Sequence, residues 1–274
     1  FKQKTAYEIG VRLVGSEMCI RDSVFSKTFR ISRVTGVPLE PRAARGSFDQ
    51  STGRYTLYEG SNGAVRHKQQ ISAALGEESE SLRVLCHDVG GNFGTKNRVY
   101  VEQPLILWVA RKIGRPVKFT ASRSESFLSD YQGRDLVTSI DLALRADGRF
   151  LALRASNVSN IGARVVSLSP LGKGIALVTG AYDIPVATAR ARAVFTNTVP
   201  TQAYRSSGRP EVTHALERLI DIAAHELDFD AIELRRMNLI RPKTMPYTNA
   251  LGLTYDSGES VSYTHLTLPT ILLV

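Results

Sequence analysis

Residues 136–158 read LVTSIDLALRADGRFLALRASNV. Over 136–145 and again over 149–158 apolar and polar residues alternate, the period of a half-buried β-strand, and Ala146-Asp147-Gly148 between them carries the Asp-Gly pair that favours a tight turn. The stretch therefore predicts an antiparallel hairpin. Downstream, Val186 to Phe195 alternates again, with Val186, Thr188, Arg190 and Arg192 on one face. The period then changes. Val212, Leu216, Leu219, Ile220, Ala223 and Leu227 recur at helical spacing with Glu217, Arg218, Asp221 and Glu226 opposite, and Asp230 is placed to cap a second short helix, Ala231 to Asn238. Upstream, strand-like runs at 29–34 and 54–58 flank a loop rich in Pro, Gly and Arg, and 64–75 reads as a helix closed by Gly76. An acidic turn at 77–80 leads to a buried-strand candidate at 82–89, which runs into a glycine loop and a helix over 101–113; a short strand follows at 117–120. Hairpins interspersed with helices predict an α+β fold, with mixed and antiparallel sheets and packed helices, rather than a doubly wound parallel sheet.

Composition narrows the classes. The chain has 274 residues, 43% of them hydrophobic and 22% charged, which excludes disorder and collagen. Two cysteines, Cys19 and Cys86, are too few for a disulfide framework or a four-thiolate zinc site, and they point to a reducing, cytoplasmic compartment. No apolar run reaches the roughly 18 residues of a membrane span. The net charge of +9 is dispersed in pairs such as Arg111-Lys112 and Arg235-Arg236, without the aromatic-interleaved stripe that nucleic-acid binding calls for. Residues 1–23 and 260–274 do not belong with the middle. The first lacks a secondary-structure period and the features of a secretory signal; the second is rich in Thr and Leu and carries no charge. Both look like translated sequencing-adapter reads, leaving 24–259 as the native portion, an interior slice of a longer protein.

Two segments could carry chemistry. In Gly90-Gly91-Asn92-Phe93-Gly94-Thr95-Lys96 the glycines let backbone approach a ligand, and free N–H groups at a helix start favour an anion such as a phosphate-bearing cofactor. The spacing matches neither Gly-x-Gly-x-x-Gly nor Gly-x-x-x-x-Gly-Lys-Ser/Thr, and a tight turn with Phe93 in the core is the structural alternative. In 203–211 the planar cations Arg205 and Arg209 stand beside Ser206 and Ser207, with Pro210 suited to a helix start. No Gly-x-Ser-x-Gly occurs, and His67, His87, His214 and His225 lack metal-ligand spacing. Cys86 reads as a buried strand thiol, and Asp88, Glu102, Asp130, Asp135 and Asp141 form no acid/base pair by spacing. Local reasoning ends at a cofactor-like anion site, with a non-catalytic anion- or nucleotide-binding module as the alternative.

Seven collinear motifs extend the reading: Leu39-Glu40-Pro41-Arg42, Val89 to Lys96, Gly114-Arg115-Pro116-Val117, Tyr182-Asp183-Ile184-Pro185, Ala203-Tyr204-Arg205, Glu233 to Leu239 and Gly252 to Gly258. Together they resemble the molybdopterin-binding large subunit of the xanthine dehydrogenase/aldehyde oxidase family, closest to its aerobic carbon monoxide dehydrogenase-like branch. The resemblance implies a molybdenum hydroxylase that passes electrons to iron–sulfur clusters and FAD on partner subunits of a hetero-oligomer. It implies that the metal is held by a molybdopterin, in the cytosine dinucleotide form, so that no protein ligand cluster is needed. It assigns Gly91, Phe93 and Gly94 to a loop lying against the cofactor, Arg205 to a cofactor contact, and Asn62 to the position of a glutamine near the metal's ligands. The substrate pocket would include Asn97, Lys173, Ser206 and Ser207. Ser206 stands where carbon monoxide dehydrogenases have a copper-binding cysteine. Asn97, Lys173 and Ser207 replace the glutamate, arginine and phenylalanine that orient purines. An aldehyde or an N-heterocycle is therefore the expected substrate. The family's general-base glutamate is expected beyond residue 259, so the isolated chain is expected to be inactive.

Overall fold

The hairpin lies at the centre of a four-stranded sheet in a computed structural model of the chain, which describes residues 22–258. The expectations for the remaining residues of 1–23 and 260–274 lie outside the described residues. This first sheet has the order β1-β6-β7-β8, from β1 (Ser23–Ile31), β6 (Leu136–Leu144), β7 (Phe150–Gly162) and β8 (Val186–Phe195). Strands β6 and β7 pair antiparallel with Ile140 opposite Ala155, as the alternation requires, whereas β8 joins β7 in parallel. The second sheet has the order β4-β3-β2-β5, from β2 (Ala43–Asp49), β3 (Arg54–Glu59), β4 (Leu82–Leu85) and β5 (Val117–Thr120). Here too antiparallel pairs coexist with one parallel pair, β3 with β4. The fold is the mixed α+β arrangement read from the sequence.

Each sheet builds its own core. The 18-residue helix α5 (Arg209–Glu226) lays Val212, Leu216, Leu219, Ile220 and Ala223, all 0–1% exposed, on the first sheet against Ile140, Leu142 and Leu153. Each such large side chain contributes roughly 1.5–3 kcal/mol of burial. Beside α5, α6 (Ala231–Asn238) starts at Asp230, whose carboxylate accepts from the Ile232 and Glu233 amides. In the second core α1 (Ala64–Leu75) and α2 (Glu102–Ile113) bury Ile71, Ile106 and Leu107 against Leu57 and Leu82. Gly76 and Gly114 close these two helices in left-handed conformation, as expected of C-terminal glycines. Two short helices, α3 (Arg123–Ser129) and α4 (Ser169–Ala176), are additions to the sequence reading. The first is held by a capping box of Ser122 and Glu125, a signal visible as Ser-x-x-Glu.

Several boundaries differ from expectation. The first strand is Ser23–Ile31 rather than 29–34, because it pairs along the whole of β6; Val34 makes only an isolated bridge to Gly133. Strand β4 stops at Leu85, so Cys86 is half-buried beyond its end, its thiol donating to the Ser61 carbonyl, rather than a core thiol. The helix read over 101–113 is found as expected, α2 beginning at Glu102; residues 97–101 therefore separate the glycine loop from it, and the loop does not open directly into a helix.

Candidate functional site

The two sheets meet where the glycine loop that follows β4 touches the segment that follows β8. The Gln202 side-chain amide donates to the Gly94 carbonyl and, at 3.2 Å, to the Thr95 carbonyl, while the Arg205 amide donates to the Phe93 carbonyl at 2.9 Å. Gly94 has φ +105°, and a Cβ there would lie 1.9 Å from the Ala203 carbonyl oxygen. Backbone thus presses on backbone, and only glycine permits it. Phe93, itself left-handed at φ +52° and 45% exposed, points its ring out of the core, which removes the alternative of a core phenylalanine.

Lys96 and three of the loop's amides are engaged internally. Lys96 is buried with its ammonium 2.7 Å from Glu40, and the same carboxylate accepts from the Gly90 amide at 3.0 Å. Burial pulls the Glu40 carboxyl up, but the Lys96 hydrogen bond and the Gly90 N–H outweigh it and hold it below the usual carboxylate range. The Gly94 and Thr95 amides are satisfied by Asn92. The expectation of a helix-start anion site within 90–96 is corrected accordingly: with α2 eight residues beyond Gly94 and Lys96 neutralised, this loop supplies shape rather than charge.

Charge comes from across the seam. A cleft of about 270 Å³ is lined by Phe93, Gly94, Asn97, Lys173, Ala203, Tyr204, Arg205, Ser206, Ser207 and Arg209. The structure thereby brings together seven of the nine site residues singled out from sequence. Gly91 lies just outside, with Phe93 and Pro38 over it; Asn62 is exposed on the turn before α1 and does not line the cleft. Three cations, Lys173, Arg205 and Arg209, face this space with no carboxylate in its lining, and among the described residues none of them forms an ion pair. Asn97 presents a buried side-chain oxygen that has no hydrogen-bond partner. Ser207, 6% exposed, shares a 3.1 Å hydroxyl contact with Ser169. Uncompensated cations, small hydroxyls and an unpaired acceptor suit a polar, anionic ligand that also offers N–H donors.

A family model described as molybdopterin cofactor-binding domain matches residues 9–239. The chain belongs to the molybdopterin cofactor-binding domain family. It is 34% identical over 250 residues to the 6-hydroxypseudooxynicotine dehydrogenase complex subunit gamma of Paenarthrobacter nicotinovorans, covering 88% of this chain and 31% of that protein. It is also 34% identical over 232 residues to the carbon monoxide dehydrogenase large chain of Hydrogenophaga pseudoflava, covering 83% and 29%. Quinoline 2-oxidoreductase from Pseudomonas putida 86 superimposes with a TM-score of 0.86 at 30% identity, over 91% of this chain and 32% of that one. The chain thus spans about a third of the length of the relatives it matches. The anion-bearing pterin cofactor fits the donor set just described: cations for its phosphate, and the unpaired Asn97 oxygen for an N–H.

Beneath the cleft lies a buried charge cluster that sequence spacing concealed. The Arg42 guanidinium sits 3.2 Å from Glu102 and 3.1 Å from Asp130, donates to Ser129 at 2.8 Å, and lies 3.9 Å above the Tyr100 ring. Tyr100 stacks on Tyr131 at 4.1 Å and donates to the Thr95 carbonyl at 2.7 Å, tying the cluster to the glycine loop. Burial raises the Glu102 and Asp130 carboxyls above their ordinary values, with Arg42 opposing. These carboxylates are separated by 28 positions and converge only through Arg42. Another buried pair, His67 Nδ1 with Glu59 at 2.7 Å, places His67 in the core beneath α1, away from the cleft, with its Nε2 unpartnered. Among the described residues no group of three or more His, Cys, Asp or Glu could hold a metal ion, and no helix is long and apolar enough to cross a membrane.

Proposed function

We propose that the chain is the molybdopterin-binding segment of a molybdenum hydroxylase catalytic subunit that oxidises an aldehyde or an N-heterocycle and passes electrons to iron–sulfur and FAD partners. The observation that carries this reading is the cation-lined cleft between the 93–97 and 203–209 loops, with its unpaired Asn97 oxygen. When bound, the cofactor supplies the redox centre at which an oxygen atom from water is transferred to the substrate. Arg205, Lys173 and Arg209 hold the cofactor's anionic groups, here taken as the cytosine dinucleotide form. Phe93 and the small Gly91 and Gly94 let it approach backbone; Asn97 and Lys173, which the resemblance implied for the substrate pocket, turn to the cofactor in this reading, and Ser206 and Ser207 face the substrate. Asn62, one carbon shorter than a glutamine, lies outside the cleft and has no part in it.

The serine at 206 favours N-heterocycles and aldehydes over carbon monoxide, because a hydroxyl is a far poorer copper(I) ligand than a thiolate. Relatives named for quinoline and nicotine oxidation support the heterocycle. The test is the full-length protein from molybdate-supplied cells, assayed for molybdenum, for pterin fluorescence after oxidation, and against a panel of heterocycles, aldehydes, xanthine and carbon monoxide. Stoichiometric molybdenum with turnover of a heterocycle or an aldehyde is expected. Absence of molybdenum, or oxidation of carbon monoxide, contradicts the reading. The isolated 24–259 segment, about a third of its relatives' length, is expected to show no turnover under the same conditions.

A further inference from the structure

One buried ion pair at the edge of the cleft has no part in the reading above. Arg134, just before β6, donates from Nη1 to the Glu211 carboxylate at 3.0 Å and to the Tyr204 carbonyl at 3.3 Å, and from Nη2 to the Arg205 carbonyl at 2.9 Å. Its guanidinium also lies 5.0 Å from the Tyr204 ring centroid. One cation therefore spans two consecutive carbonyls of the loop that carries Arg205. Glu211, in the first turn of α5, has a side chain only 2% exposed, so its charge depends on Arg134 for compensation.

The backbone these contacts hold is strained. Ser206 (φ +70°), Ser207 (φ +48°) and Gly208 (φ +87°) run in succession through the left-handed region, and Arg134 (φ +65°) and Asp135 (φ +62°) do the same opposite them. Left-handed residues other than glycine persist only where the surroundings over-determine them. A favourable carboxylate at a helix start would explain Glu211 alone, but not a guanidinium shared between two carbonyls of the preceding loop.

We infer that Arg134, braced by Glu211, is a positioning residue: it fixes the 204–208 turn so that Arg205, Ser206 and Ser207 face the cleft, and so sets retention of the cofactor there. The inference rests on the proposed function. Its test is amide hydrogen exchange on the full chain, comparing Arg134→Met and Arg134→Lys with the wild type, alongside molybdenum content of the same preparations. In Arg134→Met, exchange over 203–209 rises roughly tenfold or more while β6, β7 and the body of α5 stay as in the wild type, since local opening can change independently of the core. Arg134→Lys, which keeps the charge but cannot span both carbonyls, falls between. Molybdenum retention declines in the same order. Unchanged exchange over 203–209 in Arg134→Met overturns the positioning role, as does a uniform rise across the sheet and helix, which marks a merely structural pair. If Arg134→Met does not fold, Arg134→Lys decides by the same comparison. Faster loop exchange with full molybdenum content keeps the positioning of the turn but overturns its link to retention. Absence of molybdenum from the wild type would instead be the failure of the proposed function, leaving the exchange result to judge Arg134.

Discussion

Gly94→Ala is expected to separate the two loops that form the cleft. The added methyl carbon would sit 1.9 Å from the Ala203 carbonyl oxygen and 2.8 Å from its carbon, on a backbone at φ +105°. No flexible side chain can yield there, because the opposing atoms are main chain. Either the 90–97 loop or the 203–205 segment must shift, which breaks the Arg205-to-Phe93 and Gln202-to-Gly94 hydrogen bonds and leaves buried carbonyls unpaired. Strain and lost bonds together cost about 4 kcal/mol, in the exceptional range for a point substitution. Urea unfolding monitored through the second core should show a midpoint well below the wild type, and cofactor retention should fall with it. Gly53→Ala, at a left-handed turn with nothing within 4 Å, is the control for backbone strain alone and should cost about 1 kcal/mol. A Gly94→Ala protein as stable as the control would show that the two loops are not in contact.

Arg42→Met is expected to be the most damaging change to the second core. It deletes the one cation between Glu102 and Asp130, whose side chains are 10% and 2% exposed, and leaves two carboxylates buried together. Removing one member of a buried ion cluster costs about 3–5 kcal/mol. The sign of the pH dependence follows from the direction of the shifts. Both carboxyls are raised in the folded protein, so the folded state binds protons more readily than the unfolded one, and the penalty appears as pH rises above the ordinary carboxylate range. In Arg42→Met that penalty has no Arg42 to offset it, so the loss of stability should be larger at pH 7.5 than at about pH 5. Adding Glu102→Gln to Arg42→Met should recover part of the loss at the higher pH. Equal destabilisation at both pH values would mean that packing of Arg42 over Tyr100, rather than charge, dominates.

Much of the fold is legible in local pattern. The 136–158 hairpin, the α5 stripe, the Asp230 cap and the glycine ends of α1 and α2 depend on residues near one another in the chain, where period and capping chemistry act directly. What sequence reading misses is set by distance along the chain. Residues 23–28 look unremarkable alone and become strand because β6 is there to pair with them. Lys96 has no partner within its own segment, and the fold supplies Glu40 from 56 positions away. Glu102 and Asp130 show no spacing because Arg42 gathers them, and Arg134 offers no local hint of the carbonyls it holds 70 and 71 positions later.

The candidate site follows the same division. Phe93, Gly94, Asn97, Lys173, Arg205, Ser206 and Ser207 reach one cleft although they come from three separate segments, which no local period could have indicated; ordered motifs linked them. Arg209 joins them as the planar cation it was read to be, while Asn62 stays apart. The most direct test of the account is a structure of the full-length protein loaded with its molybdenum cofactor. The account predicts the pterin and its phosphate lying between Phe93 and Arg205, with Lys173 or Arg209 on the phosphate and Asn97 no longer unpaired. Cofactor density elsewhere, with only solvent between the 93–97 and 203–209 loops, would contradict it.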